Sequence, residues 1–280
     1  MQAGSIAPLA SPVRRRRSQI WRLGWIASVA SVLLAIAAII LPLPSHSALP
    51  SDRCQVDRSR QLLSSTTELP IAQQVHPLPA SWADLSQTGN HYLEAIAPSR
   101  YGHLVWAVSP LCVHVEPASL GSTAEEQRQQ QWQQAVNQAL ADWQPYFDLQ
   151  LVSDPAKADI SIWRRSPPLR RNAEGQLDRA RTAETTLLFY REGDRALPRY
   201  RIDLGLTQGF AGLVSTARHE LGHAFGLWGH SEQPEDVMYV AQSSRNIQLT
   251  ERDLGTLRRL YQQPTQLGWP LPRSENRRPE

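Results

Sequence analysis

From about His103 onward the chain moves between two hydrophobic periods. Leu111, Val113 and Val115 take turns with Cys112 and His114, which predicts a strand with one buried face. Ser122-Thr-Ala-Glu125 reads as a capping box, with Ser122 as N-cap and Glu125 reaching back to it. Behind that box, Trp132, Val136, Ala139, Leu140 and Trp143 recur at helical spacing and predict a helix whose stripe is core. Strand alternation returns in Phe147, Leu149 and Leu151, and again in Ala158, Ile160 and Ile162, with Asp154-Pro155 as the turn between. Two more β-prone runs follow, Thr185 to Tyr190, then Tyr200, Ile202, Leu204 and Leu206. Gly209 and Gly212 lead into a helix that sets Val214, Ala217, Leu221, Ala224 and Phe225 on its inner side. Thr250-Glu-Arg-Asp253 opens a last helix through Leu254, Leu257, Leu260 and Tyr261, which Pro264 ends.

The flanks of this patterned region lack such periods. Residues 44–100 are rich in Ser, Pro, Gln and Ala and predict a linker or pro-segment. His76 and His91 fall there with no partner at ligand spacing, so they read as solvated. Residues 164–181, with Pro167, Pro168 and six arginines, read as a solvated insertion, and residues 267–280 as a disordered tail. This leaves residues 101–266 as the folded domain.

Charge and hydropathy assign the N-terminus. The net charge of +3 over 280 residues rests on Arg14, Arg15, Arg16, Arg17 and Arg22. Beyond residue 22 there are 24 basic and 26 acidic residues, a balance of −2 that argues against a nucleic-acid binder. From Leu23 to Leu43 the 21 residues are uncharged and mostly apolar. That run exceeds the core of a cleavable signal and is long enough to span a bilayer. Residues 1–22 then form a basic cytoplasmic N-terminus. Residues 23–43 serve as a transmembrane anchor or, if cut after Ser45-His-Ser-Ala48, as a removed signal; on either reading the rest is exported. The two cysteines, Cys54 and Cys112, are too few for a disulfide scaffold, and export permits one bridge between them.

The chemistry concentrates in His219-Glu-Leu-Gly-His223. Two histidines four apart share a helix face and can both reach one Zn²⁺. Glu220 is offset enough to miss the metal and meet its water. Gly226 lies where the helix must end, in the position that favours the left-handed conformation. His230 can then return as a third ligand, and Met238 follows in Asp236-Val-Met-Tyr239.

With these residues the chain resembles the metzincin zinc endopeptidases, and among them the matrixins, whose pattern is H-E-x-x-H-x-x-G-x-x-H followed by a Met-containing turn. His219, Glu220, His223 and Gly226 match position by position; Ser231 and Met238 keep the family's distances from the third histidine. Two positions depart. The family's third histidine falls where this chain has Gly229, one residue before His230, and the Pro two after the Met is Val240. The resemblance implies an α+β fold with a twisted, mostly parallel five-stranded sheet, an antiparallel edge strand, the zinc helix, the Met-turn and a C-terminal helix. It implies one catalytic Zn²⁺ on His219, His223 and His230, Glu220 as general base, and Gly226 and Met238 in support, with Met238 an apolar floor under the imidazoles. A protein or peptide substrate would lie along an edge strand, here Thr185 to Tyr190. No His lies between His114 and His219, so the second, structural zinc of many matrixins has no His ligands, and structural calcium has no support. Arg53-Cys54-Gln-Val56 resembles the pro-segment motif whose thiolate blocks the zinc, an alternative to the bridge with Cys112. Two other functions stay open: a non-catalytic zinc module, and a gluzincin-type peptidase using Glu232, Glu235 or Glu251 in place of His230.

Overall fold

A computed structural model of the chain describes residues 53–64, 67–69, 74–83, 85, 90–177, 180–241 and 245–271. All belong to one compact unit, and the apolar run 23–43 lies outside them. Among the described residues no helix is long and apolar enough to cross a membrane.

Six strands make one sheet: β1 (Arg60–Leu62), β2 (Leu111–Val115), β3 (Leu149–Leu151), β4 (Ile160–Trp163), β5 (Ala183–Glu192) and β6 (Arg195–Leu204). Their order is β1-β5-β6-β4-β2-β3. β6, β4, β2 and β3 are parallel, while β5 runs against both β6 and β1. Helix α1 (Ala124–Trp143) supplies the crossover that the parallel pair β2–β3 requires. Helix α2 (Phe210–Ala224) packs on α1 and beneath β5 and β6, and α3 (Glu251–Leu260) follows. A mixed sheet with three helices is compatible with the α+β metzincin fold.

The core between sheet and helices is aromatic. Trp82, Trp132, Trp143 and Phe225 are fully buried, and Phe147 stacks on Phe225 with ring centroids 4.1 Å apart. A buried indole needs a partner for its N–H. Here Trp132 donates to Leu204 O, Trp143 to Arg218 O, Trp106 to Ala224 O and Trp82 to Tyr146 O.

Several boundaries move. The α1 capping box is one residue later than predicted: Thr123 is the N-cap and Glu126 its partner, closing both bonds of the box. β2 is buried on both faces, because Cys112 is bonded to Cys54 and His114 lies against Trp163. The predicted linker over 44–100 is, in its described part, built into the domain. It supplies the sixth strand β1 and the buried Arg53, Cys54, Trp82, Tyr92 and Ile96. Its lack of periodicity has a physical cause: these residues enter the core singly, between turns, and not as one face of an element. The predicted tail likewise begins too early. Leu267 is fully buried, and Trp269 stacks on the half-buried His76, whose Nε2–H donates to Leu267 O at 2.8 Å.

The cysteine alternatives resolve to the bridge. Cys54 and Cys112 form a disulfide, so the Cys54 sulfur is not free to act as a metal ligand.

Candidate metal centre

The geometry of the site begins with how α2 ends. Phe225 is the C-cap; the Gly226 N–H donates to His223 O and the Leu227 N–H to Gly222 O, both at 3.0 Å. This pair of bonds is the Schellman arrangement, which needs a left-handed residue, and Gly226 has φ of 109°. A side chain there would also strike Leu104 O. The chain then folds back tightly, with Trp228 N–H on Gly226 O at 2.7 Å and Gly229 N–H on Leu227 O at 2.9 Å. The residue extra to the family pattern is taken up in these turns. His230, not Gly229, therefore faces the two helix histidines.

The three rings converge. Centroids lie 4.7 Å apart for His219–His223, 5.2 Å for His219–His230 and 5.1 Å for His223–His230. One ring nitrogen of each falls within 4.8 Å of the others. His219 Nδ1 lies 2.8 Å from Val237 O, and His223 Nδ1 lies 2.8 Å from Leu227 O. A carbonyl can only accept, so both Nδ1 atoms carry the proton and both Nε2 lone pairs are free to bind a metal. Burial holds the pKa of all three histidines below the ordinary value, and for His223 the neighbouring His219 adds to it. Neutral imidazole is the ligating form. Glu232, Glu235 and Glu251 are all exposed, and none belongs to the group.

Glu220 is nearly inaccessible at 6% exposure. Burial pushes its carboxyl up to about 7, against the opposing hydrogen bond from Thr185. The Thr185 hydroxyl, on β5, donates to Glu220 Oε2 at 2.6 Å. Sequence reading missed this residue; only its place in the β-prone run beside the helix hinted at it.

Beneath the rings, Met238 is fully buried. A Cβ at Gly222 would sit 2.3 Å from its sulfur, so the bare helix position between the histidines is what admits Met238. The turn that carries it is tied down on every side. Ser231 N–H donates to Met238 O at 2.7 Å, and the Ser231 hydroxyl donates to Asp236. Asp253 of α3 accepts from Val237 N–H at 3.0 Å and from the Tyr92 hydroxyl at 2.6 Å. The orientation of His219 thus depends on α3 and on Tyr92, neither of which spacing in the motif reveals.

The three histidines and Glu220 open onto a cleft of 1460 Å³ between the N-terminal part of β5, α2, residues 234–241 and Ile247. Phe210, Val240 and Ile247 give it apolar walls, and Arg181 and Glu184 lie at its rim.

Among protein families, the one described as matrixin matches residues 118–262, just over half of the chain. Comparison with curated proteins returns no match.

Proposed function

The chain belongs to the matrixin family of zinc metallopeptidases, and from that premise we propose that it is an exported zinc endopeptidase. In this reading His219, His223 and His230 hold the metal and Glu220 is the general base. The observation that carries it is the convergence of three imidazole nitrogens within 4.8 Å, beside a buried carboxylate. An all-nitrogen set of three neutral donors suits Zn²⁺ and leaves a coordination position open. Zinc bound there supplies a Lewis acid that brings a water's pKa to about 7 and polarises a peptide carbonyl.

The remaining work falls to the chain's own residues. Glu220 takes the proton of the attacking water and delivers it to the leaving amine nitrogen. A carboxyl raised to about 7 by burial is matched to both transfers near neutral pH. The Thr185 hydroxyl fixes one carboxylate oxygen, leaving the other to meet the water. Met238 fills the space under the imidazoles and keeps their rings from tilting. An extended peptide adds to the free edge of β5, its main chain bonded to the strand. The Cys54–Cys112 bridge and the arginine-led apolar run 23–43 support an exported location.

The test uses the full-length protein, assayed for bound zinc and for chelator-sensitive casein cleavage beside Glu220→Ala. The expected result is one zinc per chain in both proteins, with cleavage lost at least a hundredfold in the variant. A wild-type protein that emerges from dialysis metal-free, or a variant that cleaves as well as wild type, overturns the proposal. Zinc held by both with cleavage by neither favours the non-catalytic zinc module.

A further inference from the structure

Only part of the outer edge of β5 is open. β1 pairs Leu62, Gln61 and Arg60 with Tyr190, Arg191 and Glu192, and the Leu63 N–H donates to Phe189 O at 2.9 Å. Along a strand, the residues whose backbone groups face one neighbour alternate with those facing the other. Phe189 faces the β1 side, so Leu187, Thr185 and Ala183 present their N–H and C=O to the same side, where no described strand pairs with them. Among the described residues three rungs are therefore open, and the fourth is taken by Leu63.

The occupied end is held by more than its ladder. The Arg60 guanidinium bonds Glu192 Oε2 at 3.0 Å, Asp159 Oδ1 at 2.7 Å, and the carbonyls of Ala156 and Ala158 at 2.9 Å. Arg58 reaches Glu192 at 3.2 Å, and buried Arg53 pairs with Asp159. Six residues before β1, Cys54 is bonded to Cys112 on the inner strand β2. Displacing this segment would break these ion pairs and bonds, so a ligand meets it as a wall.

Direction follows from the neighbours. Both strands beside β5 are antiparallel to it, the stronger mode of pairing. A peptide that joins the same edge in that sense runs from Leu187 toward Ala183, so its N-terminal part points at Leu63. Thr185 marks the reacting position through its hydrogen bond to Glu220. Between it and the wall lies one rung, at Leu187, about 7 Å away at roughly 3.3 Å per residue.

We propose that β1 is a stop at one end of the substrate edge, limiting strand pairing to about four substrate residues on the N-terminal side of the cleaved bond. This rests on the peptidase reading above. It assigns the enzyme to peptides whose cleavage site lies close to an N-terminus or follows a bend, and it leaves the C-terminal side of the substrate unrestricted by this segment.

The experiment is a series of peptides with a constant C-terminal half, lengthened one residue at a time from two to eight residues before the cleaved bond. Full-length zinc-loaded protein is expected to show kcat/KM rising to about four residues and level thereafter. Leu63→Pro removes the N–H that occupies the Phe189 rung, and Arg60→Ala releases β1 without touching the backbone, so a misfolded proline variant does not end the test. In each, the rise should continue past six residues, about threefold to tenfold for each rung gained. A companion series lengthened on the C-terminal side should not distinguish the variants from wild type. The proposal is overturned if wild type keeps gaining beyond six residues, or if both variants level off where wild type does. Cleavage of no peptide at any length would overturn the peptidase reading and this one together; cleavage without the expected plateau removes this one alone.

Discussion

Replacing Gly229 by alanine tests whether His230 is placed by the turn before it. A Cβ on Gly229 would lie 1.9 Å from Ala95 O, 2.8 Å from Ala95 C and 3.1 Å from Ile96 Cα. Ordinary contact begins near 3.4 Å, so the two backbones must separate by about 1.5 Å. The strain has two outlets with different signatures. If residues 95–97 give way, the Ile96–Gly229 bridge and the bond from Ala97 N–H to Trp228 O at 3.3 Å are lost. Overpacking of about 1–3 kcal/mol plus about 1 kcal/mol for the lost hydrogen bond gives a cost in stability of roughly 2–4 kcal/mol. If residues 228–230 give way, the His230 ring moves with them. A metal site tolerates displacements of about 0.2 Å, so a shift several times larger detaches the ligand and should lower zinc affinity by about a hundredfold or more.

Urea unfolding in the presence of chelator reads the first outlet, and competition against a calibrated zinc chelator reads the second. The expected result is a loss in at least one of the two. Should Gly229→Ala keep both its urea midpoint and its zinc affinity within twofold, the close approach between residues 95–96 and 229 would not be what sets the third ligand.

Two further outcomes follow from the structure. Reduction of Cys54–Cys112 opens a loop closed across 58 residues, which loop entropy values at about 4 kcal/mol; the urea midpoint should fall accordingly with no rise in activity per folded molecule, and an unmoved midpoint or an activated enzyme would contradict the bridge. Burial holds His76 below its ordinary pKa, so below about pH 6.5 the unfolded chain binds a proton that the folded chain resists, and stability present above that pH is lost as pH falls. Glu220, whose folded pKa is raised, acts with the opposite sign, so the measurement is a difference: between pH 7 and 5 wild type should lose more stability than His76→Gln, and parallel losses would refute the assignment.

What the sequence disclosed follows from how each feature is encoded. The strands β2, β4, β5 and β6 and the three α-helices of the described residues carry legible periods because each buries part of its surface against a neighbouring layer, whereas β3 alternates in sequence although its Leu151 is exposed. The residues before His103 are legible only after folding: Trp82 and Tyr92 each fill one gap in a core built by other elements, and no period marks a single insertion. The same holds for β1, whose three residues pair with β5 but bury little of their own surface. No spacing marks Arg53, Arg58 and Arg60 as a buried ionic cluster, because their partners Asp159 and Glu192 lie between 99 and 139 residues away.

The candidate metal centre shows the same division at closer range. The helix places His219, Glu220 and His223 by spacing alone, since 3.6 residues per turn fixes their relation before any tertiary contact forms. His230 lies beyond the helix, and spacing from the family pattern points at Gly229 instead. What settles the register is a tertiary contact: Gly229 is pressed against Ala95 and Ile96 so closely that only a residue without a side chain fits, and a histidine at that position would have no room. Once Gly229 is committed to that contact, the next residue is the first whose side chain is free to turn toward the helix. The segment that reads as a linker therefore helps to decide which histidine converges on His219 and His223.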